Sequence, residues 1–175
     1  YGAAADMGQS MADIIVAATD SLEETGVEEL LVCYDSVREL PAPTIDKPDT
    51  DVTIAFSDSS GLHIKLPVSI NGKTYDFIFD TGASSSLIAS EIATEIGAQS
   101  VGEPLFVGGA TGGGYLERAL IERMDVGPIT LRNVLVFVNE NPAEDDPLKV
   151  DAVLGMDFIK RLGEVQIDMV NHTLR

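Results

Sequence analysis

The sequence predicts a mainly β protein, a closed β-barrel of short strands with short helices, preceded by an N-terminal helical hairpin. Two observations favour this fold class. From residue 52 onward, short apolar runs alternate with polar residues and are separated by turn-forming Gly, Pro, Asn and Asp, which is the pattern of a β-barrel. Before residue 41, apolar residues instead recur with the spacing of a helix. The change of period indicates two parts of different structure.

The first part, residues 1–40, is predicted to be a helical appendage. Ser10 and Thr25 each begin a pattern similar to a capping box, which starts a helix, and the second helix must end at Pro41. A single helical hairpin cannot bury its own apolar face. Two interpretations stay open: the appendage is the end of a helical-repeat region, or it extends the core of the domain that follows.

A segment rich in Pro and Asp, residues 41–51, is predicted to be an extended linker, and the β domain is predicted over residues 52–175. The strongest local signal in this domain is Asn71-Gly72, a dipeptide typical of two-residue hairpin turns. Strands are predicted at 52–56, 63–70, 73–79, 105–107, 115–126, 129–131, 134–139, 152–154 and 164–168. Short helices are predicted from Ser90, as the N-cap, to Gly97, and over 157–161 before Gly163.

The composition excludes several classes of partner. The chain has 11 Lys and Arg against 29 Asp and Glu, a net charge of −18. Such a surface repels phosphate backbones and anionic headgroups, so no nucleic-acid partner is expected. The charge is expected to serve solubility, with attraction of basic substrates as the alternative. Apolar runs are far too short to cross a bilayer, which predicts a soluble protein with no integral membrane segment. With a single cysteine, Cys33, and two histidines, no metal site and no cofactor are predicted.

Asp80-Thr81-Gly82-Ala83 is the stretch with the clearest chemical meaning. It follows the apolar strand that ends at Phe79. A strand that stops at an acid, a hydroxyl and a glycine delivers a carboxylate to a tight turn, where the glycine lets another backbone approach closely. This arrangement is typical of a catalytic acid.

The string from Phe79 to Ser84, Phe-Asp-Thr-Gly-Ala-Ser, resembles the active-site loop of the retropepsin-like (retroviral-type) aspartic peptidases. Two later features of the sequence fit the same family: a glycine-rich stretch at 108–114, and an apolar segment at 152–158. The segment at 152–158 is similar to the second signature of the family, through Leu154 and Gly155. The resemblance covers roughly residues 62 to 175 and implies an acid-protease barrel that hydrolyses protein or peptide substrates.

The resemblance also implies roles for individual residues. Asp80 is the catalytic acid, Thr81 locks the two loops together across a dimer, and Gly82 lets the substrate backbone approach, with Ala83 completing the loop. Ser84 stands where retroviral members usually carry an acid that meets the substrate backbone, which is a departure from the family pattern. The glycine-rich stretch is similar to the mobile flap that closes over the substrate. Its substrate-facing residues would be Gly109, Thr111, Gly112, Gly113 and Tyr115.

Catalysis by carboxylates alone requires two of them, one acting as base on water while the other, still protonated, polarises the carbonyl. This chain has one Asp-Thr-Gly, so we expect an active homodimer that places Asp80 against Asp80 of a second copy. Asp157 is expected to be a helix first-turn acid, and Asp168 an outward-facing acid on a terminal strand. The alternative function is a non-catalytic module that holds a peptide strand by β-augmentation.

The cellular context follows from the resemblance alone. The chain is similar to bacterial members that carry a helical-repeat region ahead of the peptidase and reside in the cell envelope, which predicts a periplasmic or secreted location. The chain begins at Tyr1, so we expect either a removed targeting peptide or a longer parent chain.

Overall fold

The structure is a computed structural model that describes residues 36–57, 63–109, 112–139 and 151–175. Two compact units divide the chain, Tyr1–Leu40 and Pro41–Arg175. The predicted helical hairpin falls almost wholly outside the described residues; only its end at 36–38 is described, and it is helical.

The second unit is mainly β, as predicted. In chain order its strands are β1 (Thr44–Asp46), β2 (Ile54–Ala55), β3 (Lys65–Ile70), β4 (Lys73–Phe79), β5 (Leu87–Ala89), β6 (Gln99–Ser100), β7 (Leu105–Gly109), β8 (Gly112–Val126), β9 (Ile129–Asn139), β10 (Ala152–Leu154), β11 (Ile167–Asp168) and β12 (Thr173–Leu174). Two short helices interrupt them, α1 (Ser90–Ile96) and α2 (Met156–Leu162).

The main sheet closes on itself. From β9, hydrogen-bonded neighbours run through β5, β10, β4 and β3 to β8, and β8 pairs again with β9. β4 and β10 are parallel neighbours, as are β5 and β9, whereas β3, β4, β8 and β9 are joined by antiparallel pairing. Because the ring of strands has no gap, the predicted closed barrel is confirmed.

Alternating apolar residues of these strands fill the barrel. The largest fully buried side chains include Phe77 of β4, Leu66 of β3, Ile88 of β5, Leu131 of β9 and Leu154 of β10. Each comes from a different strand of the ring, so the core holds the strand ends in fixed relative positions. The strand that ends at Asp80 is among the most buried, with Phe77, Ile78 and Phe79 all in the core.

The β3–β4 hairpin forms where the sequence predicts it. Asn71 and Gly72 have φ of 53° and 81°, the two positive values that a type I′ turn requires. The turn fixes the register, with Ile70 opposite Lys73 and Lys65 opposite Ile78.

Three sequence predictions need correction. Part of the predicted linker forms β1, which pairs with β9 (Ile45 opposite Leu131). The strands predicted at 129–131 and 134–139 are one strand, β9, in which Asn133 has a φ of 55°. The predicted N-cap Ser90 is instead the first residue of α1; the N-cap is Ala89, with no side-chain capping bond, and Ser90 Oγ hydrogen-bonds to Glu91.

The last residues of the chain form a small second sheet. β12 pairs on one side with β11 and on the other with β2, both antiparallel. We call β11, β12 and the turn between them at 169–172 the terminal hairpin. It is tied to the barrel because the N–H of Phe56 donates to the carbonyl of His172 (2.9 Å), and the rings of these two residues stack with centroids 5.5 Å apart.

Asp125 of β8 gives a pH-dependent prediction. Hydrogen bonds from Arg123 and then Thr130 hold the pKa of its carboxyl below the usual value of 3.8. A carboxyl whose folded pKa is lowered adds stability above its unfolded pKa and loses it as the pH falls through the folded value. Asp125→Asn should therefore cost up to about 1 kcal/mol at pH 7, given partial exposure, and almost nothing at about pH 2.

Urea unfolding of both proteins at the two pH values measures the difference, with the exposed Asp76→Asn in β4 as the control. An Asp125→Asn cost that is equal at both pH values would contradict the argument.

Candidate active site

Asp80 lies at the end of β4, where the barrel holds the backbone from two sides. The N–H of Phe79 donates to the carbonyl of Ile64 next to β3, and the N–H of Asp80 donates to the carbonyl of Leu154 in β10 (3.1 Å). The Asp80 side chain is half-buried. Backbone hydrogen bonds to neighbouring segments on both sides fix the position of Asp80, while its side chain stays partly accessible.

A tight turn follows Asp80. The N–H of Gly82 donates to Asp80 Oδ1 (2.7 Å), and the N–H of Ala83 donates to the Asp80 carbonyl (3.4 Å). A Cβ at position 82 would lie 3.1 Å from Asp80 Oδ1, so glycine lets the backbone N–H reach the carboxylate. Thr81, Gly82 and Ser84 are exposed and Ala83 is half-buried, which leaves the rim of the turn open to a ligand.

Leu154 and Gly155, the predicted second signature, lie directly against this turn. A Cβ on Gly155 would be 2.6 Å from both the carbonyl carbon and the oxygen of Ser85, and 3.0 Å from the Ala83 oxygen. Cβ atoms essentially never lie closer than 3.0 Å to another heavy atom, so a side chain at position 155 would force the Ser85 backbone to move, and glycine lets the two backbones touch. The N–H of Met156, at the start of α2, then donates to the Ala83 carbonyl (2.8 Å).

Ser86 and Asp157 complete the connection. The Asp157 carboxylate accepts from the Ser86 N–H (2.9 Å) and the Ser86 hydroxyl (2.8 Å), and also from the Phe158 N–H of its own helix (2.9 Å). The same hydroxyl accepts from the N–H of Gly155 (3.1 Å). Ser86 is fully buried. We call these contacts of Ser86, Gly155 and Asp157 the loop clamp.

Asp157 is a first-turn acid of α2, as predicted, but its main contacts are with Ser86, which the sequence reading did not find. Asp168 is exposed, as predicted, and accepts hydrogen bonds in the turn of the terminal hairpin, first of all from Asn171, which lower its pKa. Each of these carboxylates therefore has a structural task, Asp157 at the start of α2 and Asp168 in the turn of the terminal hairpin.

The glycine-rich stretch forms the hairpin of β7 and the start of β8. Gly109 lies opposite Gly112 and Gly108 opposite Gly113; the predicted Thr111 lies outside the described residues. Tyr115 is 67% exposed and lies opposite Phe106, which is 64% exposed. Their rings meet edge to face with centroids 5.6 Å apart, so this hairpin presents an exposed aromatic pair.

Phe106 is a second residue that the sequence reading missed. A Cβ at Gly113 would lie 2.5 Å from the Phe106 ring, so the ring covers the backbone of this glycine, an arrangement that stabilises glycine within a strand. The signal was available in the sequence: aromatic residues flank the glycine-rich stretch on both sides, and a hairpin centred on it brings them opposite each other.

A closed barrel with a half-buried carboxylate on a glycine turn, packed against a second glycine turn, is an acid-protease type of fold. Comparison with known proteins gives the family. The family described as "gag-polyprotein putative aspartyl protease" matches residues 66–161, more than half of the chain. The chain belongs to this family of retropepsin-like aspartyl proteases.

Two individual proteins are also similar to the chain. A protein of Sinorhizobium sp. named "Uncharacterized protein in cobV 5'region" is 29% identical over 107 residues, which are 60% of this chain and 44% of that protein. The match thus spans less than half of the length of this relative. A crystal structure of a retropepsin-like aspartic protease from Rickettsia conorii matches with a TM-score of 0.52 and 18% identity, over 76% of this chain and 91% of that one. This match confirms the predicted retropepsin-like fold.

Two further findings concern the described residues only. No group of three or more His, Cys, Asp and Glu side chains among them is arranged to hold a metal ion. No helix in the same part of the chain has both the length and the hydropathy of a membrane span.

Gly155→Ala should destabilise the protein because its new methyl group would overlap the backbone of Ser85. We expect a loss of about 1–3 kcal/mol, as for other overpacked buried sites, measured by urea unfolding. The matched control is Gly108→Ala, since a Cβ at position 108 meets nothing within 4 Å. Equal effects of the two substitutions would show that close backbone contact at Gly155 is unimportant.

Ser86→Ala should cost about 1–3 kcal/mol, because it leaves the buried Gly155 N–H without its acceptor. Combined with Asp157→Asn, it should show a coupling of about 0.5–3 kcal/mol in a double-mutant cycle, as expected for residues in one network. Ser84→Ala, which changes an exposed serine of the same loop, serves as the control. Additive effects of Ser86→Ala and Asp157→Asn would contradict the loop clamp.

Proposed function

We propose that this chain is an aspartic endopeptidase that hydrolyses peptide bonds with a dyad formed by Asp80 of two chains. The observation that supports this most directly is the geometry at Asp80: a half-buried carboxylate on a turn that is hydrogen-bonded to β10 and to its own Gly82 N–H. An acid–base group needs to be held in place by such hydrogen bonds, because catalysis depends on accurate placement of the reacting atoms.

The chemistry assigns different states to two carboxyl groups. Two carboxyls a few Å apart share one proton, since ionising both is costly. The ionised Asp80 takes a proton from the attacking water, while the protonated Asp80 of the other copy donates a hydrogen bond to the scissile carbonyl and then supplies the proton to the leaving amine. Each chain brings one Asp-Thr-Gly, so a homodimer is the simplest way to assemble this pair.

The neighbouring residues suit this arrangement. Thr81 is exposed beside Asp80, where its hydroxyl can bond to the equivalent loop of a second copy. Exposed Gly82 and Ser84 leave room for the backbone of a peptide substrate. Ser84 offers a hydroxyl where retroviral members of the family usually have an acid, so we expect a neutral contact with the substrate backbone at this subsite.

The β7–β8 hairpin is proposed to act as the flap. Its glycines, at 108, 109, 112, 113 and 114, make backbone motion inexpensive, and closure of such a hairpin excludes water from a reaction. The aromatic pair of Phe106 and Tyr115 would then contact apolar side chains of the substrate.

The remaining context rests on the family resemblance. We propose that residues 1–40 are a helical appendage that serves as a platform for a substrate or partner, and that the peptidase domain predicted over 52–175 also includes β1 of the preceding segment. The relatives from Sinorhizobium and Rickettsia support a bacterial origin, and we propose a location in the cell envelope or outside the cell.

The decisive experiment is cleavage of a mixed peptide library between pH 3 and 8. Asp80→Asn should lower kcat/KM by a factor of about a hundred or more, because it removes a general acid–base group. Asp76→Asn, the same substitution at an exposed position of the same strand, should leave the activity unchanged. Cleavage that survives Asp80→Asn would refute the site, and peptide binding without cleavage by the wild-type protein would favour the non-catalytic binding module.

A further inference from the structure

A cavity of about 370 Å³ lies beside the segment that joins β1 to β2, and residues 47–52 form one side of it. Its volume falls within the range of roughly 300–1,000 Å³ that ligand pockets occupy. Among the described residues that line it, none belongs to the Asp80 loop at 80–86 or to the β7–β8 hairpin. The cavity is therefore separate from the proposed active site.

The floor of the cavity is apolar. Half-buried aliphatic side chains, among them Val52 and Leu162, surround it. Covering such a surface with a hydrocarbon chain is favourable, because it removes apolar area from water. Five buried side chains from five different elements form the floor: Leu66 of β3, Val126 of β8, Ile129 of β9, Phe158 of α2 and Leu174 of β12.

A lysine at the mouth of the cavity is available to a ligand. The Lys47 ammonium donates to the carbonyl of Leu162 at the end of α2 (2.7 Å), and it forms no ion pair within the part of the chain that the structure describes. An ammonium has three N–H donors. Lys47 therefore keeps its positive charge and two donors beside the apolar floor.

Three acids also line the mouth, but each is compensated in another way. Asp51 is neutralised by an ion pair with Arg175. Asp49 and Glu164 are exposed, so water solvates their charges and salt screens them. The lysine without an ion pair therefore decides the sign of the ligand charge, and it favours an anionic head group.

Helix α2 connects the cavity to the Asp80 loop. Phe158 and Leu162 of this helix line the cavity. The first residues of the same helix hold the loop, through the N–H of Met156 on the Ala83 carbonyl (2.8 Å) and through the loop clamp. A ligand that packs against α2 thus contacts the element that fixes the Asp80 loop.

We propose that this cavity binds an amphiphilic carboxylate, with its hydrocarbon chain on the apolar floor and its carboxylate at the Lys47 ammonium. A saturated fatty acid of medium length has this chemistry. The site does not depend on the proposed peptidase activity, because none of its described lining residues belongs to the Asp80 loop.

The test compares three ligands with the same chain: octanoate, octanol and octylamine, each below the concentration at which it forms micelles. Isothermal titration calorimetry with the full chain at pH 7 should show saturable binding of octanoate and weaker binding of octylamine. Octanoate should also slow amide hydrogen exchange in α2 and leave the Asn71-Gly72 turn, which does not line the cavity, unchanged.

Lys47→Met removes the charge and keeps an unbranched apolar side chain. It should reduce the affinity for octanoate relative to octanol by about two- to fivefold, as expected for an exposed ion pair. Lys160→Met makes the same change at an exposed lysine of α2 outside the lining and should leave this ratio unchanged. Val52→Trp fills the cavity from its wall and should abolish the binding of both ligands.

Four results would overturn the proposal: no octanoate binding, tighter binding of octylamine than of octanoate, unchanged exchange in α2, or equal ratios for Lys47→Met and Lys160→Met. Octanoate binding that survives in folded Val52→Trp would overturn it as well. If Val52→Trp does not fold, the lysine variants and the exchange measurement decide. None of these readouts involves peptide cleavage, so they leave the test of Asp80 independent.

Discussion

The structure of the site depends on one backbone contact, the packing of Gly155 against the loop that follows Asp80. The space at Gly155 is filled by the carbonyl group of Ser85, with no room for a side chain. This contact brings the N–H of Asp80 to Leu154 and the N–H of Met156 to Ala83. The turn at Asp80 and the start of α2 are therefore a single hydrogen-bonded unit, and the position of Asp80 is set by a segment more than seventy residues away in the sequence.

The loop clamp adds the polar half of the same connection. Ser86 is fully buried, so its hydroxyl and N–H must find partners within the protein. The Asp157 carboxylate accepts hydrogen bonds from both groups. Its negative charge is also favourable at the first turn of α2. One acid thus satisfies the loop and the helix N-terminus together. Because Asp157 is committed to this task, the proposed dyad relies on Asp80 and on the Asp80 of a second copy.

The sequence predicts those parts of the fold that are decided locally. The Asn71-Gly72 turn, the end of α1 at Gly97 and the strand that ends before Asp80 all follow from neighbouring residues. The Asp-Thr-Gly string marks the candidate acid for the same reason. The features that the sequence did not predict depend on residues that are far apart in the chain. β1 exists because β9 offers an edge to pair with, and the role of Ser86 depends on Asp157, 71 positions later, so no local pattern reveals either.

The Asp80 loop and the β7–β8 hairpin are supported by different kinds of contact. The Asp80 loop gains its fixed shape from hydrogen bonds to β10 and α2 and from glycines that allow close contact. In the β7–β8 hairpin, by contrast, glycine has open space at Gly108 and Gly114, and its side-chain support comes from the aromatic pair. The proposed peptidase needs both kinds of loop, one that holds an acid in place and one that admits and encloses a peptide. The same chemical feature, the missing side chain of glycine, lets two backbones touch at Gly155 and leaves open space beside the chain at Gly108 and Gly114.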